Sequence, residues 1–227
     1  MENIDKKWYK KWWGALMLII LALFLAFGAA FAFYIYNLSK EIKEKNKFPA
    51  PAEKIDENRR ALMEGSGNYW LGSAKPIITI VEFSDFACPY CKNSSAKIRE
   101  LIIKYKDTMK YVFRDMPLHE NSIDLALAGR CAGEQGLFWP MHDKLFQNQG
   151  AFETANLPEF IEQIGADKIK FKNCFDSKKY LTQITKDFSD GDALGVKGTP
   201  AWFINGNKIE GDLPIETWEN IISQFLK

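Results

Sequence analysis

The stretch Ile77-Ile78-Thr79-Ile80-Val81-Glu82-Phe83-Ser84-Asp85-Phe86-Ala87-Cys88-Pro89-Tyr90-Cys91 decides the fold. From Ile77 to Phe83 the chain is rich in β-branched and aromatic residues and almost continuously apolar, as in a central strand covered on both faces. Beyond Cys91, Ile98, Leu101, Ile102 and Tyr105 recur at helical spacing among Lys92, Lys97, Arg99, Glu100 and Lys104, which predicts an amphipathic helix. Pro89 suits its first turn, where no backbone N–H is needed. Cys88 therefore sits at the amino end of a helix, where free N–H groups and the dipole stabilise a thiolate. Cys91 lies about one turn further in and is placed to resolve a mixed disulfide formed at Cys88. A zinc half-site is the other reading of such a pair. It needs a second close ligand pair, which neither Cys131 with Cys174 nor His119 with His142 supplies, so no metal is expected.

Working outward, Met109-Lys110-Tyr111-Val112-Phe113-Arg114 reads as a second strand and completes a βαβ unit, stopped by Asp115 and Pro117. Helical periodicity then runs over Ile123–Ala132, Phe138–Phe146, Leu157–Ile164, Ile169–Phe175 and Lys178–Leu194, with Asp167 and Ser177 as candidate N-caps. Strand signals return at Ala201–Ile204 and Asn207–Ile209 around Asn205-Gly206, a pair suited to a primed hairpin turn. The last helix gathers Ile215, Trp218, Ile221, Ile222 and Phe225 on one face, to cover the sheet. Trp70, Leu71 and Gly72 are read as packing and turn residues. Ile55 to Glu64 is read as a short helix ended by Gly65-Ser66-Gly67.

The chain has 227 residues and a formal net charge of +1, which conceals an asymmetry. Residues 1–48 hold eight lysines and four acids, leaving 22 basic and 25 acidic residues elsewhere, so no nucleic-acid surface is expected. From Trp12 to Tyr36 there is no charge, and a run of this length exceeds the roughly twenty residues that cross a bilayer core. Trp8, Tyr9, Trp12 and Trp13 at one end and Tyr34 and Tyr36 at the other fit interfacial belts. The alternatives are a cleaved signal peptide, since Ala30-Phe31-Ala32 is a passable cleavage site, and a buried core helix, but apolarity continues past that site to Tyr36. Lys6, Lys7, Lys10 and Lys11 are balanced by Lys40, Lys43, Lys45 and Lys47, so lysines alone give no orientation. The short N-terminal tail and the thiol chemistry favour a cytoplasmic N-terminus. The expected organisation is residues 1–38 as tail and anchor, 39–68 as a linker with a short helix, and 69–227 as the thiol domain.

Two motifs far apart, Val81-Glu82-Phe83-Ser84-Asp85-Phe86 with Cys88-Pro89-Tyr90-Cys91, and Val196-Lys197-Gly198-Thr199-Pro200 with Phe203-Ile204-Asn205-Gly206, together resemble the DsbA-like branch of the thioredoxin superfamily. The resemblance covers about Ile77 to the C-terminus. It implies an α/β fold with a thioredoxin-like core, βαβ then ββα, interrupted by a helical insertion at about residues 118–195 and here preceded by a transmembrane helix. It implies that the Thr199-Pro200 bond is cis and faces Cys88, offering backbone groups to an extended client segment. It implies that Glu82, an isolated carboxylate in an apolar strand, lies beneath the site and helps move protons to and from Cys91. Burial of a lone carboxylate demands either a raised pKa or a partner. Asp85 is nearer the mouth, read as a turn or cap residue. Tyr90, between the cysteines, tunes the redox potential, while Trp139 and Trp202 are read as packing aromatics. His119 is read as a loop residue and His142 as a helix-surface residue.

Cys131 and Cys174 both fall on apolar helix faces, and two readings stay open: two independent buried thiols, or a structural disulfide across the insertion. The function expected is a single-pass membrane thiol:disulfide oxidoreductase acting on extracytoplasmic protein thiols. Disulfide donation through a Cys88 mixed disulfide resolved by Cys91 is the favoured direction. It needs no cofactor beyond the Cys88–Cys91 pair, and as an oxidase it needs a membrane partner of the DsbB or vitamin K epoxide reductase type. The alternatives are a reductase or isomerase, a glutaredoxin-like enzyme, whose motif is also Cys-Pro-Tyr-Cys, and a membrane-tethered chaperone or binding module without redox turnover.

Overall fold

The computed structural model describes residues 12–45, 56–150 and 157–226 and divides the chain into two compact units, Met1–Phe48 and Pro49–Lys227. In the first, a single helix, α1, runs Trp12–Lys45. Its segment Trp12–Glu41 is long and apolar enough to cross a membrane, and large side chains such as Phe24, Phe27 and Phe33 are exposed along it. The helix does not stop at residue 38, so the first part of the expected linker is helical. The charged residues that follow Ser39 are good helix formers, so the backbone continues as helix past the apolar run. Trp8, Tyr9, Lys6, Lys7, Lys10, Lys11, Lys47, Ile55 and the stretch from Asn46 to Pro51 lie outside the described residues.

In the second unit, the strands β1 (Trp70–Gly72), β2 (Ile78–Ser84), β3 (Met109–Asp115), β4 (Ala201–Ile204) and β5 (Asn207–Glu210) form one mixed sheet in the order β1-β3-β2-β4-β5. β2 and β3 are parallel, with Glu82 opposite Phe113, and the other pairings are antiparallel. β2 lies second from neither edge but at the centre, which is why its sequence reads as apolar on both faces. β1 corrects the reading of Trp70–Gly72 as turn residues: the segment is an edge strand on β3. Three residues with an exposed, half-buried, exposed pattern are too short to show a period. Gly72 is required there, because at φ +95 a Cβ would come within 2.1 Å of the Met109 carbonyl oxygen.

Alternation along β2 sends Val81 and Phe83 to one face and Ile80, Glu82 and Ser84 to the other. The first face packs Val81, Phe83, Val112 and Phe203 with Met63 from α2 (Glu57–Glu64). Arg114 crosses this side, donating to the carbonyls of Leu62 and Met63 and pairing with Asp187 and Asp190 of α8 (Leu181–Ala193). The second face is covered by α3 (Pro89–Lys104), α5 (Phe138–Gln147) and α9 (Ile215–Phe225), through contacts such as Phe113 on Phe138 and Trp202 on Trp218.

Between β3 and β4 lie α4 (Ser122–Gly133), α5, α6 (Leu157–Gln163), α7 (Lys168–Asp176) and α8. Asp167 caps α7, accepting from the N–H groups of Ile169 and Lys170. Ser177 does not start the next helix; it ends α7, its hydroxyl donating to the carbonyls of Asn173 and Cys174. Lys178 then takes a positive φ of 49, so α8 begins only at Leu181. His142 is a second correction. It is 1 % exposed, enclosed by the rings of Phe86, Phe113, Phe138, Trp139 and Phe146. Its neighbours Met141 and Leu145 are buried as well, and the apolar face of this ten-residue helix is wide enough to include a neutral imidazole. The β4–β5 turn carries positive φ at both Asn205 and Gly206, as a primed hairpin requires. The Asn205 side chain also accepts from the N–H of Thr79 at 2.8 Å, which ties the hairpin to the start of β2.

Candidate active site

Strand β2 ends at Ser84, and the chain turns through Asp85, Phe86 and Ala87 into α3. Asp85 shapes this turn: its carboxylate accepts from the N–H of Ala87 at 2.8 Å, and its carbonyl accepts from the N–H of Cys88 at 3.0 Å. Cys88 is the N-cap of α3, with an extended backbone, and Pro89 fills the first helical position. Its sulfur makes no side-chain cap bond to the helix and is directed instead at the Thr199 carbonyl. Pro89 and Tyr90 are exposed at the rim, while Cys91 is fully buried.

Both cysteines are free thiols. The Cys88 thiol is held down to about 5, first by a hydrogen bond from the Cys91 thiol, against the opposing effect of burial, and then by the Thr199 side chain and the N–H groups of Cys91 and Tyr90. As a thiol, Cys88 donates to the Thr199 carbonyl at 3.2 Å. The Thr199 hydroxyl is buried without a hydrogen-bond partner, which leaves it available to the sulfur as an anion. The Thr199–Pro200 peptide bond is cis. Burial pushes the Cys91 thiol up, and its bond to Cys88 and the nearby Glu82 charge push the same way. The two sulfurs are therefore strongly unequal, an outer one poised as thiolate and an inner one held as thiol.

Glu82 is 1 % exposed and lies on the face of β2 that α3 covers. Burial raises its carboxyl to about 7, against the opposing hydrogen bond from Tyr111 and the smaller lowering effect of the nearby Ser84 hydroxyl. Tyr111, two residues before Phe113 on β3, donates to Glu82 Oε2, while Glu82 Oε1 and the Ser84 hydroxyl are buried without a hydrogen-bond partner. An acid that titrates near neutrality beside an inner thiol of high pKa is suited to hand that sulfur a proton or take one from it.

Three residues of the surroundings were not legible as site residues. Asp85, 2 % exposed, does more than cap its own turn. Its second oxygen accepts from the backbone N–H groups of Leu118 and His119 and faces His119 Nδ1 at 2.8 Å, and the Ser122 hydroxyl donates to its first at 2.6 Å. The bond to Asp85 raises the His119 pKa, and its side chain remains about half exposed. Tyr111 reaches Glu82 only because β3 lies parallel to β2 in one register, which residue types alone do not state. Gln149, in a polar turn after α5, donates to the carbonyls of Phe86 and Cys88 at 2.8 and 2.9 Å. A glutamine in a polar turn carries no signal of such a role.

Cys131 of α4 and Cys174 of α7 are joined in a disulfide, within the helical segment rather than at the β2–α3 turn. Among the described residues no cluster of three or more His, Cys, Asp or Glu is arranged to hold a metal ion. Trp139 lies under the guanidinium of Arg99, and Trp202 is buried in the core.

A family model described as thioredoxin matches residues 65–224. Among curated proteins, the chain is 34% identical over 148 residues to the Na(+)/H(+) antiporter NhaA 1 of Salinispora arenicola, and 31% identical over 140 residues to the NhaA of Herminiimonas arsenicoxydans. The matches take in 64% and 62% of this chain, which spans 22% of the length of each antiporter. Among solved structures, the thiol-disulfide exchange protein alpha-DsbA2 of Wolbachia pipientis superposes with a TM-score of 0.67 at 22% identity, over 74% of this chain and 91% of that one. The oxidised BdbD of Bacillus subtilis superposes at 0.62 with 26% identity, over 70% and 93% respectively.

Proposed function

Because this chain belongs to the thioredoxin family, with the DsbA-like form of its fold, we propose that it is a thiol:disulfide oxidoreductase that donates disulfides to protein thiols. The observation that carries this reading is the unequal placing of the two sulfurs, Cys88 at the N-terminus of α3 against the Thr199 carbonyl and Cys91 fully buried behind it, which lowers the first thiol and raises the second. A dithiol whose outer sulfur is a stabilised anion favours its own reduced form, and its disulfide is correspondingly oxidising.

In the donating direction, a client thiolate attacks Cys88 Sγ of the Cys88–Cys91 disulfide. The S–S bond breaks, Cys91 leaves as a thiolate, and it takes a proton from Glu82. A second client thiolate then attacks the client sulfur of the mixed disulfide and expels Cys88 as a thiolate, which the α3 N-terminus and Thr199 stabilise. The client loses two electrons and gains a disulfide; the pair Cys88/Cys91 gains both. In the opposite direction Cys91, deprotonated by Glu82, attacks Cys88 Sγ and releases the client.

The setting proposed is extracytoplasmic, with α1 as a membrane anchor. The Cys131–Cys174 disulfide supports it, since such bonds persist in oxidising compartments. Re-oxidation of Cys88/Cys91 then calls for a membrane partner of the DsbB or vitamin K epoxide reductase type. The test is the reduction potential of the full chain in detergent, by equilibration with glutathione and mass readout, together with capture by Cys91→Ser, whose Cys88 thiolate attacks the disulfide of an oxidised client, expels one client sulfur as thiolate and stays joined to the other. A potential near roughly −120 mV supports donation, and one near roughly −270 mV makes the protein a reductant. Client protection that persists in Cys88→Ser would instead favour a non-redox binding module.

A further inference from the structure

Gln149 grips the active-site turn from outside it. Its Nε2 donates to the carbonyl oxygens of Phe86 and Cys88, at 2.8 and 2.9 Å, so one amide spans the turn that carries the outer cysteine. The Cys88 carbonyl also accepts the first helical bond of α3, from the N–H of Lys92 at 3.2 Å. The Gln149 backbone is itself anchored, its N–H donating to the Phe146 carbonyl at the end of α5. The same helix end supplies the Phe146 ring, 5.0 Å from Phe86 and tilted against it. The turn is thus held twice by the insertion, through the Phe86 ring and through two carbonyls.

From this geometry we infer that Gln149 is a positioning residue for the redox pair, which sets how well the Cys88 thiolate is stabilised. The inference rests on the reading of Cys88 and Cys91 as that pair. Two physical effects act in one direction. The amide fixes the Phe86–Ala87 and Cys88–Pro89 peptide planes in the turn that carries the sulfur, and so the aim of the Tyr90 and Cys91 N–H groups at it. It also draws on the lone pairs of two carbonyls in the turn that carries the sulfur, which weakens their negative ends. Without the donor, the Phe86 carbonyl loses its bond from Gln149 and the turn is free to rotate its dipoles against the sulfur.

The test uses the reduced full chain in detergent, as wild type, Gln149→Met and Gln149→Asn. The alkylation rate of Cys88 by iodoacetamide is followed across pH by mass spectrometry, and the Cys88/Cys91 equilibrium with glutathione is measured for each. In Gln149→Met, which keeps length and loses both donors, the Cys88 pKa is expected to rise by about one unit, so that thiolate at pH 4 falls about tenfold. The glutathione equilibrium shifts about tenfold toward the disulfide, about 30 mV more negative. Gln149→Asn, a methylene short of spanning both carbonyls, recovers at most part of the shift; if the Met variant fails to fold, the Asn variant is judged by the same two shifts. Wild-type alkylation profiles and equilibria in the folded variants, with or without a lower melting temperature, would overturn the inference and leave Gln149 as a packing residue. A wild type that lacks both the low-pH reactive thiol and a glutathione-reducible pair would instead overturn the underlying redox reading.

Discussion

Tyr111 donates its phenolic proton to Glu82 Oε2 from the neighbouring parallel strand, while the other carboxylate oxygen stays buried without a partner. The carboxyl is thereby held half satisfied, and its protonation is balanced near neutrality rather than settled either way.

Burial of Glu82 makes the stability of the fold depend on pH. Its folded pKa of about 7 exceeds the ordinary 4.5, so the folded state binds the proton more tightly than the unfolded state. The corresponding stabilisation is full below pH 4.5 and is lost as pH rises through 7. Glu82→Gln is expected to be more stable than wild type at pH 8, by up to about 3 kcal/mol in urea unfolding, since each pKa unit is worth about 1.4 kcal/mol. The same variant is expected to slow the resolution step about tenfold or more. Tyr111→Phe removes a bond that lowers the Glu82 pKa, so the pH midpoint of resolution should move upward. An unchanged pH–rate profile in both variants would remove Glu82 from the proton path.

Cys88 should be alkylated selectively. With its thiol near 5 and that of Cys91 raised, iodoacetamide is expected to modify Cys88 at a rate flat above about pH 6 that falls tenfold per unit below 5. Peptide mapping identifies the modified sulfur. A rate that climbs instead through pH 8 to 9 would mean an ordinary thiol without stabilisation by α3.

The buried ionic cluster is the strongest polar link between sheet and insertion. Arg130 of α4 pairs with Asp115 of β3 and Asp187 of α8, and Arg114 of β3 with Asp187 and Asp190. Arg130→Met leaves two buried carboxylates short of their cation and should cost about 3–5 kcal/mol. Asp115 is already raised to about 6 by burial, opposed chiefly by Arg130, so the variant should lose further stability as pH rises past neutrality and Asp115 ionises. Denaturant midpoints at pH 5 and pH 8 check both the size and the sign.

The disulfide should be separable from the redox pair. Cys131 and Cys174 are 43 positions apart, and removing both by Cys131→Ala and Cys174→Ala should cost roughly 2–4 kcal/mol through the unfolded chain. The Cys88/Cys91 glutathione equilibrium should stay at its wild-type value. A changed equilibrium would make the second cysteine pair part of the redox chemistry.

Much of this was legible because period and chemistry coincide. The continuous apolar run of β2, the capping position of Cys88 and the Asn205-Gly206 turn each follow from residue type and spacing. The resemblance to the DsbA-like branch added the helical insertion. What sequence did not carry was contact across elements. His142 was read as a surface residue because a neutral imidazole in an aromatic enclosure has no local signature. Edge strand β1 is too short to show alternation. Tyr111 and Gln149 act through one register and one turn, both fixed only when the sheet and α5 are packed.

The bond between Cys88 and the Thr199 carbonyl joins positions 111 residues apart, and this has a bearing on when the protein becomes reactive. A ribosome adds 111 residues after Cys88 to reach Thr199, and over that interval the cysteine motif exists without the wall that faces it. Contacts of such sequence separation form late, after the costly closure of the intervening chain. Over that interval the Cys88 sulfur has Cys91 and the first N–H groups of α3 beside it but not Thr199, which joins them only when β4 pairs with β2.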